Sequence, residues 1–267
     1  MRVGRAVGSC LAFALAVWLT GCHSEAPSCG GPPASVQDGP DHGMKLVPAG
    51  AFWRGCDPSF DSACERNENP GACVTLSTFE IDETEVTQEQ YEACVSAGAC
   101  AVPIGRYDPV QLPHRPVVQV TWDQAGIYCG WAGKRVPTAA EWEKAARGPV
   151  PREYPWGSTA PDCTKTNYLG CGNDSRDVGM TAVDTSPYGV RDMAGNVEEW
   201  LGDWYEDNYY RTGPLVDPPG PLTGVFRTIG GAGWNDEAKW LRVSRRDAVE
   251  PTVANDVLGI RCVKSLP

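Results

Sequence analysis

The chain has 267 residues, with 34 acidic against 23 basic side chains and a formal net charge of −11. A surface this acidic, with no basic stripe, repels nucleic-acid phosphates; it excludes nucleic-acid binding and favours cationic partners or bound metal cations. Twelve cysteines, 30 glycines and 23 prolines point to loops held by cross-links rather than to sheet layers.

At the N-terminus, Arg2 and Arg5 precede an apolar run from Cys10 to Leu19, closed by Leu19-Thr20-Gly21-Cys22. The run is about half the roughly 20 residues that a spanning helix needs. It reads as a secretion signal over residues 1–21 ending in a lipobox. The pattern resembles bacterial lipoproteins, which implies acyl chains on Cys22 as the membrane anchor. His23 follows in place of Asp, pointing to the outer membrane, with the domain periplasmic or surface-exposed. Losing Arg2 and Arg5 lowers the 23 basic residues to 21 against 34 acids, so the mature charge is about −13. Residues 22–43, rich in Pro, Gly and Ser, read as a flexible tether, and residues 44–267 as one domain.

Setting Cys10 and Cys22 aside leaves ten cysteines, an even number that predicts a disulfide framework in an exported chain. Cys94 and Cys100 flank Gly98, and Cys163 and Cys171 flank Gly170, so each pair can staple a local loop. The pairing of Cys29, Cys56, Cys64 and Cys73 stays open. No CxxC occurs and the histidines are His23, His42 and His114, which is not a zinc pattern. His114, between Pro113 and Arg115, reads as a surface or packing group rather than a base.

Capping boxes predict three short helices, each with a glycine stop: Thr87 to Gly98, Thr121 to Gly133 and Thr138 to Gly148. Their apolar faces carry Tyr91, Cys94 and Val95 in the first and Trp142, Ala145 and Ala146 in the third. Strand patterns are sparse: Met44–Val47, Val74–Ile81, Phe226–Ile229 and Gly259–Val263. Trp122, Trp142, Trp156 and Trp200 are expected in the core. Trp204, Tyr205, Tyr209 and Tyr210 either meet a ligand or pack.

Several strings in order resemble one family: Met44 to Phe52, Glu85 to Tyr91, Pro116 to Trp122, Lys134 to Glu143, Tyr154 to Gly157, Asp192 to Trp200, Gly230-Gly231 and Leu258 to Cys262. Together they are similar to the formylglycine-generating (sulfatase-modifying) enzymes. The resemblance implies an α+β, C-type-lectin-like fold, loop-rich with a small central sheet, and a bond between Cys129 and Cys262. It also implies structural calcium, with Asp192 and Glu199 giving side chains and Gly195 and Val197 carbonyls. A second calcium site would begin at Asn167 and the carbonyl of Tyr168, completed by an acid such as Asp174 or Asp177.

Active members of that family bind copper through two cysteines that follow a Gly-Gly-Ser string. Here the serine position is Ala232 and the cysteine positions are Asn235 and Trp240, so copper is not expected. The resemblance leaves two readings. One is a binding module whose former groove, around Trp234, Asn235 and Trp240, takes a peptide, a glycan or an envelope protein. The other is an oxidoreductase of the family that modifies an exported protein with a changed set of groups.

Overall fold

A computed structural model describes residues 29–31 and 34–266; the signal and Cys22 lie outside the described residues. The chain runs through β1 (Met44–Val47), β2 (Gly50–Arg54), β3 (Ala72–Leu76), β4 (Phe79–Asp82), α1 (Gln88–Ser96), α2 (Trp122–Trp131) and α3 (Ala139–Arg147). It continues through β5 (Glu198–Trp204), α4 (Tyr209–Thr212), β6 (Arg227–Gly230), β7 (Asp247–Val249), β8 (Leu258–Gly259) and β9 (Val263–Ser265). Among the described residues no helix is long and apolar enough to cross a membrane.

The helices start where the threonines predict. Thr87 Oγ1 accepts from the Gln90 amide and Gln90 Oε1 accepts from the Thr87 amide, and the same reciprocal bonds form at Thr121/Gln124 and Thr138/Glu141. Each box satisfies two of the amides that a helix start leaves unpaired. Gly98, Gly133 and Gly148, with φ of 71°, 71° and 76°, follow the helix ends in a region that favours glycine.

Three small sheets replace one large layer, with orders β1-β4-β9, β2-β3 and β7-β6-β5-β8; only β5 and β8 run parallel. The run Val74–Ile81 breaks at Ser77-Thr78, so β3 pairs with β2 while β4 lies between β1 and β9. Gly259–Val263 likewise divides between β8 and β9. Strands β2, β5 and β7 were not in the sequence reading.

The core gathers in two main clusters. In one, Trp142, Ala145 and Ala146 of α3 meet Phe52, Ile81, Leu201 and Val263; in the other, Tyr91 of α1 and Tyr128 and Cys129 of α2 meet Trp200 and Ile260. The aromatics of the acidic loop pack: Tyr209 and Tyr210 are buried, while Trp204 and Trp122 hold the Arg227 guanidinium at 3.6 and 3.5 Å.

Five disulfides brace the loops: Cys94–Cys100, Cys163–Cys171, Cys129–Cys262, Cys29–Cys73 and Cys56–Cys64. The last two resolve the open pairing. Cys29–Cys73 also corrects the extent of the tether, because the chain is fastened well before Met44. Gln37 O accepts from the Leu46 amide and Asp38 bridges to Lys45, which covers the outer edge of β1.

Candidate functional site

The turn that carries the acids winds from Asp192 into β5. Asp192 and Asn196 take φ of 56° and 70°, a left-handed conformation that Asp and Asn tolerate through local hydrogen bonds. Asn196 fixes the turn: its Nδ2 donates to Glu85 Oε1, and its Oδ1 accepts from the Arg176 amide. Gly195 is required there, since a Cβ would stand 2.3 Å from Thr166 Oγ1 and 2.6 Å from Asn167 O.

Four carboxylates crowd around this turn, each at most 5% exposed: Glu85, Asp184, Asp192 and Glu199. Burial pushes Asp184 up to about 7, with Asp192 adding repulsion. Burial raises Glu85 well above the usual range, again with Asp192 adding to it, and raises Asp192 itself. Glu199 stands apart because Arg261 donates to both of its oxygens at 2.7 to 3.0 Å and Trp142 Nε1 donates at 2.7 Å. Expected as a calcium ligand, Glu199 is spent on a guanidinium and an indole.

The remaining oxygens bear on calcium directly. Glu85 Oε2, Asp184 Oδ1 and Asn167 Oδ1 are buried without a hydrogen-bond partner, and all three are hard donors suited to calcium. Of the expected ligands, Asn167 thus has a free buried oxygen that suits a cation, while Asp192 Oδ2 accepts from the Gly179 amide. Asp174 fits poorly: its carboxylate is paired with Arg106 and Arg115. Among the described residues, the one group of three Cys, His, Asp or Glu ligand atoms within 4.8 Å is Cys56, Asp61 and Cys64, whose sulfurs form a disulfide.

The segment from Gly231 to Trp240 hangs from this turn, with the Trp234 amide donating to Asn196 O at 2.9 Å. Gly230 ends β6 against Trp142, which a Cβ would meet at 2.9 Å. Ala232 is fully buried and packs with Tyr154, Leu241 and Trp240. Asn235 is exposed, and Trp240 is half-buried with Lys239 Nζ and the Arg245 guanidinium 4.8 and 4.9 Å from its ring. Trp156 stacks on Tyr154 at 5.1 Å and joins Tyr168 in the same patch. All ten cysteines of the described residues are in disulfides, so none of those residues offers a free thiol to this segment.

Arg245, Arg261, Glu85 and Asp184 are the site residues that sequence reasoning missed. Arg245 binds Gly231 O, Glu198 and Asp247 and lies on Trp240. Arg261 and Glu85 sat inside strings already noted, Leu258 to Cys262 and Glu85 to Tyr91, which was the available signal. Three larger clefts lie elsewhere: about 520 Å³ beside Tyr209, Pro214 and Leu222, about 310 Å³ beside Gly133, Lys134 and Val263, and about 270 Å³ beside Phe79, Arg135 and Asp217.

A family model described as "Sulfatase-modifying factor enzyme 1-like domain" matches residues 32–266. The chain is similar to the formylglycine-generating enzyme of Streptomyces coelicolor, 31% identical over 89% of this chain and 95% of that protein. It is also similar to the inactive C-alpha-formylglycine-generating enzyme 2 of Mus musculus, 35% identical over 56% of this chain and 49% of that protein. Among solved structures, PvdO from Pseudomonas aeruginosa superposes with a TM-score of 0.75 and 25% identity, covering 88% of this chain and 99% of that one.

Proposed function

The chain belongs to the sulfatase-modifying factor enzyme 1-like family, and from that premise we propose that it acts as a non-catalytic binding module of the cell envelope. One observation carries the reading. Where the copper chemistry needs two thiolates, the chain has the amide of Asn235 and the indole of Trp240, the latter lying beside Lys239 and Arg245. Soft anionic sulfur selects Cu(I), and neither group replaces it. What stands there is an aromatic patch of Trp156, Tyr168 and Trp240, with Trp234 on the same segment, and large rigid rings make good anchors for a peptide, a glycan or an envelope protein.

Calcium is the structural cofactor of this reading, held by Asn167, Asp192 and the carbonyls of Tyr168, Gly195 and Val197. Its charge offsets the repulsion among the buried acids of the turn. Acylated Cys22 is the anchor, and Cys22→Ser releases the protein into the soluble fraction. The deciding assay incubates the copper-supplemented full chain with a Cys-x-Pro-x-Arg peptide under oxygen, with the aldehyde sought by mass spectrometry. No product is expected, and turnover by the purified protein would overturn the proposal.

A further inference from the structure

Residues 213–226, which join α4 to β6, differ from the rest of this acidic surface. Their one charged side chain is Asp217, and its carboxylate accepts from the Ser77 amide and hydroxyl. Leu215, Val216 and Leu222 are 49%, 65% and 89% exposed. Pro214 and Leu222 line the same open cleft of about 520 Å³, which brings the Leu215-Val216 end beside Leu222. A lone exposed apolar residue needs no explanation, but several side by side mark a surface that meets something.

The start of the described chain is fastened to the same region. The Thr75 amide donates to Leu215 O at 2.8 Å and the Asp217 amide donates to Thr75 O at 2.9 Å, so residues 215–217 run alongside β3. Two residues back on β3, Cys73 is bonded to Cys29, with their Cα atoms 5.5 Å apart. Gly31 then crosses β2, where a Cβ would stand 2.1 Å from Ala51 O, and Ala51 is the register partner of Thr75. Cys29 lies seven positions after Cys22, a span of at most about 25 Å. A domain of this size is roughly 45 Å across, so an anchor at Cys22 keeps the β3 side toward the membrane.

We propose that residues 213–226 form a lipid-docking face, with Val216 and Leu222 entering the headgroup region of a zwitterionic bilayer. This rests on the reading of Cys22, outside the described residues, as the acylated anchor. A neutral apolar loop suits zwitterionic lipid, whereas anionic headgroups repel a chain of net charge −11. The face adds a second hold to the acyl chains and sets which side of the domain points away from the membrane.

The test places the acylated chain in vesicles of phosphatidylcholine and phosphatidylethanolamine, with a fluorophore on Leu222→Cys or, as reference, on Val110→Cys, whose native side chain is 81% exposed. The label at 222 should be quenched by nitroxide-bearing lipid and shielded several-fold from aqueous iodide relative to the label at 110. Equal access of iodide to both overturns the proposal. A second arm needs no anchor. The Cys22→Ser chain leaves washed membranes, but it should still bind the same vesicles weakly at millimolar lipid. Leu222→Ser, a change at an exposed site that leaves the fold alone, should lower that partition constant roughly tenfold or more, the worth of one buried leucine side chain. Absent binding, or equal partition of the two chains, overturns the proposal. If the mass of the mature chain shows no acyl groups, the anchor reading falls and this arm alone decides the face. A lipid-free dimer of the Cys22→Ser chain that Leu222→Ser dissociates assigns the face to a second copy and also overturns the proposal.

Discussion

Replacing Glu199 by Gln keeps the side-chain shape and an oxygen for Trp142 Nε1, but removes the charge that faces Arg261. Both residues are buried, at 1% and 0% exposure, and the guanidinium makes its shortest contact with Glu199 at 2.7 Å. Removing one partner of such a pair costs roughly 3–5 kcal/mol, because the remaining charge is stranded out of water. Glu85 and Asp192 act on the same guanidinium, and ionising one of them in the variant offsets part of the loss. The lower end, about 3 kcal/mol, is therefore expected. In a domain of this size each kcal/mol moves the midpoint roughly 2–4 °C, so Tm should fall roughly 6–12 °C. Since the carboxylate is spent on Arg261 and Trp142, the loss should be the same in calcium and in chelator. Calorimetric melts of both proteins in both buffers measure it. A fall below about 2 °C, or one confined to the calcium buffer, would show that Glu199 serves the cation and not Arg261.

Chelation should lower the melting midpoint of the native chain, and Asn167→Ala or Asp192→Ala should abolish that response; an unaltered response in both variants rules out the ligand set given above. Burial raises Asp203 to about 6 from 3.8. The folded state thus holds a proton that the unfolded state has released, so its contribution is present below about pH 4 and lost as pH rises to about 6. Two units correspond to on the order of 3 kcal/mol, and urea melts across that window should show a decline that disappears in Asp203→Asn. Replacing Cys129 and Cys262 together by Ser opens a loop of 133 residues, which should cost about 4–5 kcal/mol in chemical denaturation. A cost under about 1 kcal/mol would show that contacts rather than the cross-link hold α2 to the C-terminal strands.

The helices were legible because their signals are local: a Thr, a Gln or Glu three residues on, and a glycine at the far end suffice to start and stop a turn. Strand β5 was not, because Glu198, Glu199 and Asp203 make it read as a polar turn. The strand is nonetheless largely buried, since Arg245, Arg261 and the Ala139 amide neutralise those three acids from distant parts of the chain. Period and propensity carry no trace of partners separated by tens of residues. The same blindness hid Glu199's partner: the string Asp192 to Glu199 gives no sign of Arg261, which only the fold brings to Glu199. Between Gly230 and Trp240 the identities of Ala232, Asn235 and Trp240 can be read in one letter each, but the Arg245 guanidinium that lies on Trp240 cannot.

The segment from Trp234 to Trp240 is moored by main-chain atoms. The Trp234 amide reaches Asn196 O, and Asp236 O accepts from the Leu169 amide. Main-chain moorings do not depend on which side chains ride on them. Asn235, Glu237 and Lys239 are exposed, so exchanging them should cost within about 0.5 kcal/mol. The side chains that this face presents can therefore change while the cross-linked body beneath it stays the same.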